Sequence, residues 1–283
     1  MSRTPWITRR TALAATGAAM MLAVSACGSG SGSGSEQATD NPLGLQRPGV
    51  LHVGTLTDAP PNVFLKDGQF TGFDNDLLKA VAAKQGLKVE FAGTDFSGLL
   101  SQVKSGKYDV GSSSVTITEK RKQTVAFTNG YDFGYIGLNV PAGSTLKSFD
   151  QLTGKRVVVV QGTVQDDYAT GKKLDPVRVP DYNGAMNQLK AGTVDAWVSP
   201  AEIGEKLAGE SGGKVLLAAK ELSPTPMAYA VAQDKTKLKD ALDKGLDEVV
   251  KDGTWQKLVD QYYPGRKTPA DFTPGSGAVK ITR

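Results

Sequence analysis

A run of hydroxyl side chains that ends in an arginine is the part of the sequence best suited to bind a ligand. Residues 112–116 contain three serines and a threonine, and Arg121 follows shortly after them. Thr118 has the position of a helix N-cap, which would place Arg121 beside the unpaired N–H groups of a helix start. A guanidinium can give a carboxylate two parallel N–H bonds, and Ser114 and Thr116 can add donors to the same oxygens. The spacing indicates an anion site, although an arginine on a solvated helix face would show the same spacing.

A second candidate turn lies further along the chain. Residues 156–160 are a β-branched run, which predicts a fully buried strand. Gly162 follows and permits a tight turn, and Thr163 can cap a helix whose N-terminal N–H groups would meet an anion. An ordinary strand-to-helix turn would look the same.

The histidine and cysteine content excludes several kinds of catalytic site. His52 is the only histidine and Cys27 the only cysteine, so we expect neither a nucleophile paired with histidine nor a His-rich metal site. We expect no catalytic residue, no metal and no cofactor. The net charge is +4, and loss of the first 26 residues would remove three arginines and no acid, leaving +1. This charge indicates no nucleic-acid partner.

The N-terminus has the pattern of an export signal. Three arginines precede residues 12–26, an uncharged and mostly apolar run that is too short to span a bilayer permanently. The run ends in Val-Ser-Ala before Cys27, which resembles a bacterial lipobox, so we predict a signal peptide over 1–26 and a lipid on Cys27. The adjacent Arg9 and Arg10 leave general secretion and twin-arginine export both open. The polar, Gly/Ser-rich residues 27–47 are predicted to be a flexible linker.

The remaining chain alternates between strand and helix patterns. Strands are predicted at 51–54 and 88–91, a helix capped by Asp74 lies between them, and a helix at 97–104 follows. A second series begins near residue 137. The segments 104–109 and 190–195 resemble each other, each with a helix end, a glycine and a strand, and 227–231 is again extended. Such alternation predicts an α/β fold with helices on the faces of a sheet.

Several motifs occur in an order that resembles one known family, the family 3 extracellular solute-binding proteins, over residues 51–265. They are Gly72 to Leu77, Lys104 to Asp109, Thr116 to Arg121, Phe127 to Asn129 with Tyr131, and Val249 to Leu258. The resemblance implies a type II periplasmic-binding-protein fold of two α/β lobes joined by a two-strand hinge. Lobe 1 would comprise 48–138 and 231–267, lobe 2 would comprise 139–230, and 268–283 would be a C-terminal tail.

The resemblance also assigns roles to site residues. Arg121, Ser114, Thr116 and, from lobe 2, Thr163 would bind the ligand carboxylate. The rest of the pocket would be formed by Phe96, Asp58, Ala59, Gly162, Pro200 and Glu202.

Pro200 departs from the family pattern. Members that bind amino acids have an aspartate there, which pairs with the ligand ammonium, whereas proline offers neither charge nor donor. Either another acid replaces it, with Glu202 and Asp58 the nearest, or the ligand lacks a standard α-amino group. Ala59 also stands where members often have an aromatic ring.

The resemblance implies the extracytoplasmic substrate-binding component of an ABC importer, closing on a small carboxylate such as an amino acid. The protein would be a non-enzymatic monomer, lipid-anchored on the outer face of the cytoplasmic membrane, with a small-molecule ligand and a membrane permease as partners. Two alternatives remain open. One is a dehydratase of prephenate-like cyclic acids with Glu202 as general acid, and the other is a ligand sensor for a membrane kinase.

Overall fold

The structure is a computed structural model that describes residues 41–277. The predicted signal peptide, Cys27 and most of the predicted linker lie outside these residues. The strands within them are β1 (Val50–Thr55), β2 (Asp58–Ala59), β3 (Val63–Lys66), β4 (Gln69–Thr71), β5 (Lys88–Gly93), β6 (Val110–Thr116), β7 (Ala126–Phe127), β8 (Tyr135–Pro141), β9 (Val157–Val160), β10 (Val177–Val179), β11 (Ala196–Pro200), β12 (Val215–Leu222) and β13 (Met227–Val231). The helices are α1 (Phe73–Lys84), α2 (Phe96–Lys104), α3 (Glu119–Lys122), α4 (Val164–Gly171), α5 (Tyr182–Lys190), α6 (Ala201–Gly209), α7 (Thr236–Lys251) and α8 (Thr254–Tyr262), with a 3₁₀ turn at Phe149–Leu152.

Two five-stranded sheets organise the described residues. The first has the order β5-β1-β6-β13-β7, in which β1 is parallel to β5 and β6, and β13 is antiparallel to its neighbours. The second has the order β10-β9-β11-β8-β12, with β9 parallel to β10 and β11, and β8 antiparallel to its neighbours. We call each sheet with its packed helices a lobe. Helices join the parallel strands because such neighbours need a long crossover.

The chain passes between the lobes twice. It leaves the first sheet after β7 and enters the second with β8, and it returns between β12 and β13. The two crossings lie side by side, because Ser223 donates its N–H to the Gly134 carbonyl at 2.8 Å. The lobe boundaries expected from the sequence, at 138/139 and 230/231, fall inside β8 and β13, whereas the sheets change in the loops before these strands.

The apolar faces of the helices explain the cores. Helix α1 buries Leu77, Leu78 and Val81, and it packs with α7 and α8 on one face of the first sheet. All four valines of β9 are buried, as the sequence predicts for a parallel central strand. The strands β2, β3 and β4 form a smaller antiparallel sheet. The chain is thus an α/β protein built on two five-stranded sheets, with the alternation expected from its sequence.

The two similar segments, 104–109 and 190–195, have the same local structure in the two lobes. Helices α2 and α5 both end in lysine, followed two residues later by a glycine with positive φ. Asp109 then accepts the N–H of His52 at 2.9 Å, and Asp195 accepts the N–H of Arg156 at 2.8 Å. Each aspartate therefore fixes the backbone at or just before the neighbouring parallel strand.

Three expectations about local structure need correction. Helix α1 begins after Gly72, and Asp74 lies inside it, fully buried, so it is not the helix cap. The predicted linker ends earlier than residue 47, because Leu45 is only 5% exposed and belongs to the first-lobe core. The described part of the predicted tail also packs on that lobe, where Phe272 contacts Phe133. Apolar side chains in both segments find space on the core, which composition alone did not indicate.

Candidate functional site

Arg121 is held at the carboxyl end of β6 by the short helix α3. The Thr118 hydroxyl accepts the Arg121 N–H at 3.2 Å, which confirms the predicted N-cap. The side chain is largely buried, and its Nη1 donates to the Thr116 carbonyl at 2.7 Å. Its Nη2 donates to the Gly162 carbonyl of the second lobe at 3.1 Å. These bonds use two of the five N–H donors of the guanidinium, and Arg121 lines the space between the lobes.

The electrostatic surroundings leave Arg121 suited to an anion. Burial lowers its pKa to about 10, because removal from water disfavours the cation, while Asp167 acts in the opposite direction. The guanidinium is therefore still charged at neutral pH. The Phe96 ring lies 5.1 Å from its central carbon, a cation–π contact that supports the planar group on one side.

Ser114 has a strained backbone held by groups behind it. Its φ is +47°, in the left-handed region that non-glycine residues rarely adopt. Its N–H and its hydroxyl both donate to Asp74 Oδ2, the hydroxyl at 2.7 Å, and the hydroxyl accepts from Asn62 Nδ2 at 2.6 Å. The structure thus brings Ser114 to the cleft as expected, but with its hydroxyl directed at Asp74 and Asn62.

Asp74 is a functional candidate that the sequence did not reveal. Burial raises its pKa to about 7, and the nearby Asp132 adds to the increase, while the bonds from Ser114 oppose it. Its Oδ1 has no hydrogen-bond partner among the described residues. Asp74 lies within a quoted motif, yet the contact with Ser114 is long-range and no local pattern encodes it.

The opposite wall is the turn before α4. Gly162 has φ +78°, which turns its carbonyl towards Arg121. Thr163 caps α4, as predicted, by accepting the Asp166 N–H at 3.2 Å. Its hydroxyl also donates to the Val160 carbonyl at 2.8 Å, so it is occupied within its own lobe. The next residues, Val164 and Gln165, line the cleft.

The remaining predicted pocket residues separate into two groups. Ala59 and Pro200 line the cleft, and Pro200 ends β11 at the N-cap of α6. Asp58 lies at the edge and accepts the Asn183 N–H across the lobes at 2.9 Å, and burial raises its pKa. Glu202 does not line the cleft but lies beside Gly134 at a chain crossing, where burial raises its pKa to about 7.

Sequence analysis missed several lining residues. They are Val63, Ser113, Val164, Gln165, Tyr182, Ile203 and Met227. Ser113, Val164 and Ile203 directly adjoin predicted positions, and Gln165 lies two residues after Thr163, so these neighbours could have indicated them. The others come from elements that carry no pattern of polar side chains, and only the packing of the two lobes brings them together.

The cleft is narrow as the lobes stand. Its volume is about 20 Å³, which is room for roughly one water molecule. An amino acid could enter only if the lobes moved apart. Residues 41–277 contain no cluster of side chains suited to hold a metal ion and no helix long and apolar enough to cross a membrane.

Comparison with known proteins identifies related chains. Residues 51–265 match the bacterial extracellular solute-binding proteins, family 3. A probable amino-acid-binding protein, YxeM of Bacillus subtilis (strain 168), is 32% identical over 253 residues, covering 87% of this chain and 92% of YxeM. A probable histidine-binding protein of Campylobacter jejuni is 32% identical over 217 residues, covering 75% of this chain and 84% of that protein.

A solved structure has the same fold. It is an ancestral arginine-binding protein bound to arginine, with 33% identity and a TM-score of 0.72, and the match covers 76% of this chain and 98% of that one. The match confirms the type II periplasmic-binding-protein fold predicted from the sequence.

Proposed function

The chain belongs to the bacterial extracellular solute-binding proteins, family 3, and we propose that it closes its two lobes on a small carboxylate held by Arg121. It is the extracytoplasmic substrate-binding component of an ABC importer, as its relatives are. One observation carries the proposed site: Arg121 is a buried cation bonded to neutral carbonyl groups of both lobes. A ligand carboxylate would give it a charged partner in the same place.

The ligand is an amino acid or a related carboxylate. The names of the relatives describe them as probable amino-acid-binding and histidine-binding proteins, and the solved ancestral protein is bound to arginine. The guanidinium would bind the carboxylate with two parallel bonds. Thr116, Ser114 and Thr163 line the same cleft, and the backbone N–H groups at the start of α4 favour negative charge there.

Closure is the proposed working motion. The two lobes would separate about the two chain crossings and close when the ligand joins Arg121 to the second lobe. A ligand that contacts both lobes stabilises the closed state because it has more partners there. A membrane permease would then recognise the closed form.

We also propose that the protein is not an enzyme. The dehydratase alternative needs an acid in the cleft, and Glu202 lies beside Gly134 instead. No described residue specifically supports the alternative of a ligand sensor for a membrane kinase.

Cys27 would carry a lipid. This lipid would hold a monomeric receptor, joined by a flexible linker, to the outer face of the cytoplasmic membrane.

Arg121→Met tests the proposed site. A thermal-shift screen of amino acids, betaines and organic acids identifies a ligand, and calorimetry then compares variants. We expect Arg121→Met to weaken binding by about 2–5 kcal/mol, the loss measured when one partner of a buried charge pair is removed. Lys122→Met is the matched control, because it removes the neighbouring cation outside the cleft. Affinity for Arg121→Met within a few-fold of wild type would contradict the proposal.

A further inference from the structure

The cleft is a cationic site with apolar walls. Among the residues that line it in the described structure, Arg121 is the one with an ionised side chain. Much of the remaining wall is apolar and comes from Val63, Phe96, Ile203 and Met227. A ligand that balances this charge is a single anion, and the apolar wall fits a carbon skeleton without charge.

The acids near the cleft do not supply a partner for a ligand cation. Asp58 accepts the Asn183 N–H across the lobes, and Asp167 pairs with Lys120 at 3.3 Å. Asp166 pairs with Arg178 on the lobe 2 side. Each of these carboxylates has a donor elsewhere, and none of the three lines the cleft.

The three remaining candidates are also unsuited to a cation. Asp74 has no exposed surface, and Ser114 stands between it and the cleft. Tyr182 lines the cleft, but burial raises the pKa of its phenol, which stays neutral. Glu202 is absent from the lining.

The neutral groups at the cleft carry no charge to balance an ammonium: they include the Ser113 and Tyr182 hydroxyls and the Gln165 amide. The Thr116 and Gly162 carbonyl groups both accept from Arg121, and the Ser114 hydroxyl is engaged with Asp74 and Asn62. Pro200 stands where the resemblance leads us to expect an aspartate. An ammonium closed into this cleft would lose its hydration without gaining a charged partner.

From this arrangement we infer that the preferred ligand is a monocarboxylate with an apolar body whose α substituent is uncharged, such as an α-keto, α-hydroxy or N-acyl acid. The inference rests on the proposed function, because it assumes that Arg121 holds the carboxylate. It excludes basic amino acids as preferred ligands, since none of the described residues that line the cleft carries a carboxylate to receive a second positive group.

Matched ligand sets test the inference. Calorimetry compares leucine, its α-keto acid and N-acetyl-leucine, with corresponding sets built on methionine and phenylalanine, and with arginine. In at least one set, we expect the α-keto acid or the N-acetyl form to bind about tenfold or more tightly than the corresponding amino acid. Equal or tighter binding of the amino acids, or binding by no member of any set, overturns the inference.

Substitution at Pro200 tests the physical cause. Pro200 is the N-cap of α6, a position that accepts Asp and Asn well. In Pro200→Asp the amino acid should become the tightest-binding member of its set, because the aspartate can pair with its ammonium. Pro200→Asn should keep the wild-type order of affinities, because it caps the helix without charge. Pro48→Asp adds the same charge on an exposed residue before β1 and should change nothing. An unchanged order in a folded Pro200→Asp variant overturns the inference.

Arg121→Met separates the inference from the proposed function. If Arg121→Met abolishes binding while the amino acids bind wild type best, the proposed function stands and the inference fails. If a ligand binds this variant as tightly as wild type, the proposed function fails, whatever the order within the sets.

Discussion

Replacing Asp74 by asparagine should remove a pH-dependent loss of stability. The folded protein raises the pKa of Asp74 from 3.8 to about 7, chiefly because the carboxyl group is buried. An asparagine oxygen can still accept both bonds from Ser114. Its amide group can take the place of Oδ1, close to the Tyr131 hydroxyl, and both of these atoms lack a hydrogen-bond partner among the described residues.

The sign and size of the effect follow from the two pKa values. Asp74 binds its proton more tightly in the folded state, so its stabilising contribution is complete below about pH 4. That contribution falls as the pH rises towards 7, because the unfolded chain loses the proton first. At about 1.4 kcal/mol per pKa unit, the raised pKa corresponds to roughly 4 kcal/mol lost above pH 7.

Urea unfolding between pH 4.5 and about 8.5 measures this difference. The stability of Asp74→Asn relative to wild type should increase with pH through this range and then level off. Subtracting the two curves removes Glu202, whose pKa is also raised to about 7, from the comparison. Asp234→Asn, at an exposed position, is the control for loss of one carboxylate. A difference between Asp74→Asn and wild type that does not vary with pH would refute the reasoning.

Three further outcomes are expected. Cys27→Ala should release the protein from the membrane fraction and change its N-terminal mass; an unchanged distribution and mass would contradict the lipid anchor. Gly72→Ala should destabilise the fold by several kcal/mol, because φ is +110° and a Cβ would overlap the Asn62 carbonyl, while Gly68→Ala, at φ +74° with open space, should cost only about 1 kcal/mol in the same urea assay. Asp58→Ala should weaken ligand binding by about 1 kcal/mol in calorimetry, since it removes a bond between the lobes; unchanged affinity would show that this bond does not favour closure.

Local sequence was enough to predict the parts of the site that depend on neighbours in the chain. Thr118 and Thr163 each cap the helix that follows directly, so a few residues determine their role. The position of Arg121 then follows from its distance to Thr118. The strands β1 and β9 were also recognisable, because buried parallel strands carry continuous apolar side chains.

Contacts between distant segments could not be predicted in this way. Asp74 and Ser114 are 40 residues apart, and Asp58 and Asn183 are 125 apart. Aspartate is a common N-cap residue, but Asp74 is buried because helix α1 packs on the first sheet. Glu202 directly precedes the cleft residue Ile203, yet the geometry of helix α6 directs its side chain away from the cleft.

The contacts between the lobes explain why a carboxylate would favour closure. The pair between Lys120 and Asp167 is exposed, and such pairs contribute about 0–1 kcal/mol. The bond from Arg121 to the Gly162 carbonyl joins a cation to a neutral acceptor, whereas a carboxylate would give the guanidinium an opposite charge and two parallel bonds. A carboxylate bound to Arg121 would therefore strengthen the contact between the lobes only in the closed form, in which the second lobe is near enough to surround the carboxylate. The ligand's differential affinity for the closed form, and not its affinity alone, then sets how far the equilibrium moves.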